Sequence, residues 1–355
     1  MIYLDYQATT PLAPQAFDAM VPWLRDAHAN PHSPHRPGRA ARAAVEVARD
    51  RVAALLPAGG RLAFTSGATE ALNWAIKGST GAIVTIATEH AAVLDTVAAS
   101  GRPHVVLPVQ GDGLVDLDAA RAAIGPGTGL VAAMLVNNEI GVVQPIAELA
   151  DLAHDAGAWM LCDAVQGYGR VPLPATVDMV AVSAHKIHGP KGIGALWMRD
   201  GVAPAPLMHG GGQEAPGRSG TLSPALCAGF GVAAQLMAAD DAGAVAGLWQ
   251  AAHDRFRAAG WSLNGAADPR YPGNLNVRRD RLDVGRLMSD VRGVAFSAGS
   301  ACASGSGRPS HVLRAIGLSD AQARSSIRLG FGRYTREAEL IQAVDAILIA
   351  AAAQA

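Results

Sequence analysis

The sequence predicts an α/β fold with a largely parallel sheet, followed by a second domain of the α+β class. Two observations lead to this prediction. Short apolar runs alternate with helically spaced patterns through the first two thirds of the chain, and the alternation ends after about Asp240. The chain has 355 residues, 50% hydrophobic and 17% charged, which is enough for one large core and a smaller second one.

The first part of the chain contains apolar runs of strand length. A parallel strand is buried on both faces, so it reads as a continuous apolar run. The candidate strands are Arg61–Thr65, Ala82–Ala87, Val105–Val109, Leu130–Val136, Trp159–Cys162, Met179–Ser183 and Gly194–Met198. A helix is predicted over Arg39–Leu56, where Val45, Ala48 and Val52 keep helical spacing and Pro57 ends the pattern.

The second part of the chain has a different pattern. Helices are predicted over Asp241–Ala259 and Asp283–Val291 and from Arg336 onward, with short strands at Asn274–Val277 and Val294–Ser297. We therefore expect a large domain over residues 13–240. The smaller α+β domain would combine residues 1–12 with residues 241–355.

Composition excludes several classes of protein. The net charge of −1 gives no indication of a nucleic-acid or anionic-membrane partner. The first residues do not resemble a signal peptide, and no apolar run approaches the roughly 18 residues of a membrane span. Cys162, Cys227 and Cys302 are too few and too scattered for a disulfide framework or a metal cluster. We therefore expect no metal site, and a reducing, cytoplasmic location.

Lys186 follows one of the predicted buried strands. Ser183, His185 and Lys186 come directly after an apolar run, and Gly189 then breaks the chain. Open α/β sheets bind ligands beyond the carboxyl ends of their strands. A lysine desolvated there would have a lowered pKa and could form a Schiff base with a carbonyl. Taken alone, a surface lysine after a strand is the favoured interpretation, because buried lysines are rare.

Three further strand ends carry polar side chains. Asp163 could pair with the pyridinium nitrogen of a pyridoxal ring, or it could cap the next turn. His90 could stack on a flat cofactor or move protons, or it could be structural. Asn137 and Asn138 could bind a cofactor oxygen and a substrate carboxylate, or they could form an Asx turn.

A small-residue turn, Thr65–Glu70, follows the first predicted strand and precedes a helical pattern. Free N–H groups at a helix N-terminus suit a phosphate, and Ser66 and Thr69 could add hydroxyl donors. An ordinary helix cap is the structural alternative. The sequence therefore predicts a pyridoxal phosphate site. Its parts are a lysine, an acid, a histidine that could stack on a flat ring, and a turn that could bind phosphate.

Cys302 lies in a segment, Ser297–Gly307, made only of Ser, Gly and Ala apart from this cysteine. Such a segment contains nothing that anchors a core, so we expect a mobile loop that presents a reactive thiol. A passive linker is the alternative. Cys162 and Cys227 fit buried positions instead.

Two arginines near the end of glycine-rich or small-residue stretches are candidate anion ligands. Arg328 could hold a substrate carboxylate in a two-pronged pair, and Arg218 could reach a phosphate. Surface salt bridges are the alternative for both residues.

At this point the chain resembles the cysteine desulfurases of the NifS/IscS-like group, within the class V aminotransferase fold of pyridoxal phosphate enzymes. The resemblance covers nearly the whole chain. The motifs that carry it are, in order, YLDYQATTP, FTSGATE, TEHAAVLDT, VNNEIGVVQ, SAHKIHGPKGIGAL, HGGGQEAPGRSGT, GSACASGS and SSIRLGFGRYT.

The resemblance implies an aspartate-aminotransferase-like fold and a role for each matching residue. Lys186 would carry pyridoxal 5'-phosphate and move protons, with His90 stacked on the ring and Cys302 attacking the sulfur of L-cysteine to give L-alanine and a persulfide. The implied cofactor contacts are Ala68, Thr69, His90, Asn138, Asp163, Gln166, Ser183, His185 and, from the second subunit of a homodimer, Thr221. The implied substrate contacts are Arg328, Asn138 and Asn30.

The resemblance also implies a partner, a sulfur-acceptor protein of iron–sulfur cluster, thio-cofactor or tRNA biosynthesis. Val165, Gly167 and Gln213 depart from residues common in relatives, and the chain ends soon after its last helical pattern. These three departures remove no catalytic group. Because the chain ends soon after its last helix, the resemblance does not identify the sulfur acceptor. The alternatives are a selenocysteine lyase or another class V enzyme, and a silent scaffold of the same fold.

Overall fold

A computed structural model describes residues 1–214, 217–299 and 309–354. Its strands are β1 (Ile2–Tyr3), β2 (Gly60–Thr65), β3 (Ala82–Ile86), β4 (His104–Leu107), β5 (Thr128–Met134), β6 (Trp159–Asp163), β7 (Met179–Ser183), β8 (Gly194–Arg199), β9 (Ser262–Leu263), β10 (Asn274–Arg278), β11 (Val294–Ala295), β12 (Ser297–Ala298) and β13 (Ser326–Gly330). Its helices are α1 (Pro14–Arg25), α2 (Arg36–Ala53), α3 (Ala68–Gly78), α4 (Ala91–Ala99), α5 (Leu117–Ala123), α6 (Ile146–Asp155), α7 (Pro224–Met237), α8 (Ala242–Ala258), α9 (Val284–Asp290), α10 (His311–Ala315), α11 (Asp320–Arg324) and α12 (Glu337–Ala352).

The main sheet has the strand order β2-β8-β7-β6-β5-β3-β4. All seven strands expected from the apolar runs are present, and the predicted α/β fold with a mostly parallel sheet is confirmed. Only β8 among these strands runs against the others, pairing antiparallel with both β2 and β7. The segment between β7 and β8 is too short for a crossover helix, so the chain must turn back.

Both faces of the main sheet are covered by helices. Alternate residues of β7 show this, because Val180 and Val182 pack into one core with α2, α6 and α7, whereas Met179 and Ala181 pack into another with α3 and α4. Strand side chains alternate between faces with a period of two. A ligand therefore has access at the ends of the strands rather than on a face of the sheet.

A second core lies in the last part of the chain. β12, β13, β10 and β9 form an antiparallel sheet, and its apolar side packs with α8, α9 and α12. The strand expected over Val294–Ser297 is interrupted, since β11 pairs with β1 whereas β12 pairs with β13. The domain boundaries at residues 12 and 240 remain a prediction.

The chain start connects the two parts of the molecule. β1 pairs with β11, and Asp5 forms a bridge to Gly330 at the end of β13. Five residues later, Thr10 bonds the backbone on both sides of Lys186. In the described ranges, no helix has the length and apolar character that crossing a bilayer requires.

Candidate active site

A cavity of about 650 Å³ lies at the carboxyl ends of the central strands and the N-terminus of α3. Its lining brings together nine of the predicted site residues, from segments far apart in the chain. They are Ala68, Thr69, His90, Asn138, Asp163, Gln166, Ser183, His185 and Lys186. The crevice expected at these strand ends is therefore present, with an acid, a lysine, a histidine and an amide facing one space.

Lys186 ends a single 3₁₀ turn, Ala184–Lys186, that follows β7. Its ammonium donates to the backbone carbonyls of Gln7 at 2.5 Å and Ala8 at 2.9 Å. The side chain is half-buried. The turn thus presents the amine to the cavity, where two carbonyl oxygens of the N-terminal segment hold it.

Gln7, Ala8 and Thr9 are lining residues to which sequence reasoning gave no role. Thr9 lies 3.2 Å from a ring nitrogen of His185, measured from its hydroxyl oxygen. The segment has no regular secondary structure, so no periodicity indicates its place. The only signal for it was the YLDYQATTP motif.

The turn before α3 lines the cavity with Ser66, Gly67, Ala68 and Thr69, and its role as a phosphate site remains a prediction. The first amides of a helix lack intrahelical partners, and they carry the positive end of its dipole. Gly194 in β8 permits the close approach of this turn, because a Cβ there would lie 2.7 Å from the Gly67 Cα. The amide of Ser66 is occupied, since it donates to the Glu70 carboxylate at 2.7 Å.

Arg218 does not line the cavity, and its contact with a phosphate remains a prediction. Its guanidinium pairs with Glu70 at 2.8 Å, and both side chains are largely buried. This pair lowers the pKa of Glu70, although burial acts in the opposite direction. Arg218 therefore fixes its own segment against α3 through a largely buried ion pair, not through a surface salt bridge.

Asp163 lies at the end of β6 and is 6% exposed. One carboxylate oxygen accepts from the amide of Val165 at 2.9 Å. Burial raises the pKa of Asp163, a shift that His90 and Lys186 oppose. A buried carboxylate needs a cationic partner, so this position suits a protonated ring nitrogen.

His90 caps a helix and also lines the cavity, and its role toward a cofactor remains a prediction. Its Nδ1 accepts from the amide of Ala92 at 3.0 Å, which caps α4. Its ring also lines the cavity. Burial lowers the pKa of His90, a shift that Asp163 opposes, and the accepting Nδ1 leaves Nε2 as the nitrogen that carries the proton of a neutral ring.

Asn137 and Asn138 differ in position, because only Asn138 lines the cavity. Asn137 forms the Asx turn, because its Oδ1 accepts from the amides of Glu139 and Ile140. Asn138 lines the cavity, and its carbonyl accepts from Arg328 at 3.0 Å. The turn made by Asn137 thus places Asn138.

Arg328 lies outside the cavity lining, with a fully buried side chain. Besides the Asn138 carbonyl, it bonds Asp5 at 2.8 Å. Ser297 donates to the same Asp5 oxygen at 2.8 Å. Arg328 thus forms an ion pair with Asp5, next to the lining residue Asn138. Its role as a ligand of the substrate carboxylate remains a prediction.

Asn30 and Thr221 are both exposed and lie outside the cavity lining. Asn30 accepts from the amide of His32 in a local turn. Their assigned roles, Thr221 in a second subunit and Asn30 toward substrate, remain predictions. Cys302 lies outside the described residues.

The two described cysteines match the buried positions expected for them. Cys162 and Cys227 are free and buried. Burial raises the pKa of the Cys162 thiol well above its usual range and that of Cys227 to about 12. Neither thiol is therefore a nucleophile at neutral pH.

Comparison with known proteins places this geometry in a family. The model of the family described as Aminotransferase class-V matches residues 2–343. A protein of Rickettsia akari named cysteine desulfurase IscS is 42% identical over 372 residues, which cover 98% of this chain and 90% of the relative.

Solved structures agree with the sequence comparison. One is described as a NifS-like protein from Rickettsia africae, with a TM-score of 0.91, 28% identity and 99% of each chain covered. Another, described as SspA in complex with cysteine, has a TM-score of 0.84 and 34% identity, covering 95% of this chain and 100% of that one. The expected fold and the resemblance to cysteine desulfurases are confirmed. The chain belongs to the class V aminotransferase family.

Proposed function

We propose that this protein is a cysteine desulfurase that uses pyridoxal 5'-phosphate. The observation that supports this most strongly is the convergence of Lys186, Asp163, His90 and the phosphate turn on one cavity. The matched family is one of pyridoxal phosphate enzymes, and its similar members here are cysteine desulfurases.

The residues present fit that cofactor. The N-terminus of α3 would hold its phosphate with Ser183 and His185, and Asp163 would pair with its ring nitrogen. The side-chain oxygens of Gln7 and Gln166 are buried without a partner in the described part of the chain, and both residues line the cavity. Buried polar atoms of this kind require a ligand or water. When bound, the cofactor supplies an electron sink for bond cleavage next to the substrate α-carbon.

Several groups of the chain then act on the substrate. The Lys186 amine, held by two carbonyls, is placed to take and return a proton. The neutral His90 ring would stack on the cofactor, and Arg328 and Asn30 would bind the substrate carboxylate. Asp163, buried beneath this site, would keep the ring nitrogen protonated.

Cys302 would receive the sulfur. Its thiolate would bond to the sulfur of L-cysteine as the carbon–sulfur bond breaks, leaving a persulfide on Cys302. The substrate carbon takes a proton and leaves as L-alanine. The burial of Cys162 and Cys227 supports this assignment, because both described thiols are kept protonated.

The proposal extends to assembly and partners. A homodimer would place Thr221 of each subunit at the phosphate of the other, and a sulfur-acceptor protein would take the persulfide sulfur for iron–sulfur cluster or thio-cofactor synthesis. A cytoplasmic location fits a sequence with only three, widely spaced cysteines.

The test is sulfide release from L-cysteine in the presence of a reductant. Cys302→Ala should keep the absorbance band of the cofactor but lose release, and Cys227→Ala, its matched control, should keep both. Full turnover by Cys302→Ala would contradict the persulfide mechanism and favour a lyase that works without this thiol.

A further inference from the structure

Arg170 contacts two segments of the cavity wall at once. Its Nη2 donates to the carbonyl of Lys186 at 2.6 Å, and its Nη1 donates to the carbonyl of Gln166 at 3.4 Å. The arginine lies just after Gly169, whose φ of 71° turns the chain beyond the Asp163 segment.

The side chains of the same two residues meet on a second shared group. The Lys186 amine and the Gln166 side-chain amide both donate to the carbonyl of Gln7, at 2.5 Å and 3.0 Å. Two residues 20 positions apart are thus joined twice, by Arg170 through their backbones and by Gln7 through their side chains. Together the two connections fix the distance between the amine and the amide.

A third segment holds the guanidinium in place. The Arg170 guanidinium lies over the ring of Tyr271, 5.2 Å from the ring centre. Tyr271 is buried, and its amide donates to Gly141 at 2.9 Å, in the loop that carries Asn138. A planar guanidinium can stack on a ring and donate to two acceptors simultaneously.

We propose that Arg170 is a positioning residue that sets the Lys186 amine and the Gln166 amide relative to each other for catalysis. This rests on the proposed function. Small displacements of a reacting group cost much of the rate. Loss of Arg170 should therefore slow the chemical step and leave substrate affinity nearly unchanged.

Arg199 provides a matched control. Its guanidinium also lies near an aromatic ring, 5.9 Å from that of Trp197, and also donates to two carbonyls, those of Ala175 and Val177. It differs in lying at the opposite end of the sheet, where it pairs with Asp178. If Arg170 had only a structural role, replacing it would have the same effect on the enzyme as replacing Arg199.

The experiment compares Arg170→Met, Arg170→Lys and Arg199→Met as cofactor-loaded enzymes. For Arg170→Met we expect kcat to fall by roughly 10- to 100-fold with KM within about twofold of wild type. We also expect a shifted cofactor absorbance band and faster loss of cofactor on dialysis. Arg170→Lys keeps the charge and can donate to one of the two carbonyls but cannot stack in the same way, so it should recover part of kcat. Arg199→Met should lose thermal stability only.

A wild-type kcat and absorbance band in Arg170→Met would overturn the proposal, as would the same changes in Arg199→Met. If the Met variant does not fold, Arg170→Gln serves in its place and should lose kcat in the same way; a wild-type kcat there would also overturn it. Failure of the proposed function is distinguishable, because wild-type enzyme would then release no sulfide from L-cysteine.

Discussion

At the scale of single residues, Lys186 owes its position to the turn after β7. Replacing it with Ala should abolish sulfide release and the absorbance band of the lysine-bound cofactor, because the amine that would bind the cofactor is gone. The readout is an absorbance spectrum with added pyridoxal phosphate. Lys77→Ala, at the exposed end of α3, is the control and should behave as wild type. An unchanged spectrum in the Lys186 variant would refute its role.

His188 makes the fold sensitive to acid. It is 1% exposed, its Nδ1 lies 2.9 Å from the Pro11 carbonyl, and its ring meets Tyr6 and Tyr334 edge-on. Burial first, and then Arg170 and Arg333, lower the pKa of His188 to about 4, whereas Asp240 and the Pro11 carbonyl oppose the shift.

The sign of the pH effect follows from that shift. The unfolded chain binds a proton near pH 6.5 and the folded chain does not, so stability falls as the pH decreases from 6.5 toward 4. His188→Asn tolerates the φ of 66° and lacks this titration. Urea unfolding at pH 7 and pH 4.5 should show a wild-type loss roughly 2.5 kcal/mol larger than that of the variant. Equal losses would contradict this assignment.

At the scale of elements, the segment after β8 is held by two ion pairs. Glu214 binds Arg49 of α2 through both carboxylate oxygens at 2.8 Å, and Arg218 binds Glu70 of α3. Glu214 also accepts from the amide of Phe64. This segment leads to Thr221, so the pairs connect the phosphate turn to the residue expected in the second site.

Glu214→Gln should destabilise the fold by about 3 kcal/mol, because it leaves the guanidinium of Arg49 without its buried counter-charge. Glu46→Gln, which removes the exposed partner of the same arginine, should cost less than about 1 kcal/mol. Chemical denaturation measures both values. Equal effects would show that burial of the Glu214 pair is unimportant.

Local patterns predicted the elements better than their connections. Apolar runs located every strand of the main sheet, because buried parallel strands need continuous apolar sequence. The reversed direction of β8 depends on a short connection. The position of Gln7 depends on contacts with Gln166 and Lys186, more than 150 residues away, which no local periodicity encodes. Arg170 was missed for the same reason.

The candidate site was predicted to a similar extent. His90, Asp163 and Lys186 were found because each follows an apolar strand, and strand ends converge at one edge of the sheet. The pairing of Arg218 with Glu70 could not be predicted, because the two residues lie 148 positions apart and no local pattern links them.

At the scale of the whole molecule, the proposed homodimer makes a specific prediction about mixing. Lys186→Ala and Thr221→Ala each impair every site of their own dimers. A mixed dimer would contain one intact site, with Lys186 from one subunit and Thr221 from the other. After subunit exchange at equal amounts, sulfide release should approach about one quarter of the wild-type value per site. No recovery would place Thr221 in its own subunit's site, and full activity of the unmixed Thr221→Ala dimer would show that Thr221 acts in neither site.

The most direct test of the account is mass spectrometry of the protein after a single turnover with L-cysteine. We predict one additional sulfur atom on the peptide that contains Cys302, present in the wild type and absent in Lys186→Ala. Release of alanine with the extra sulfur on Cys162 or Cys227, or with no sulfur bound to the protein, would contradict it.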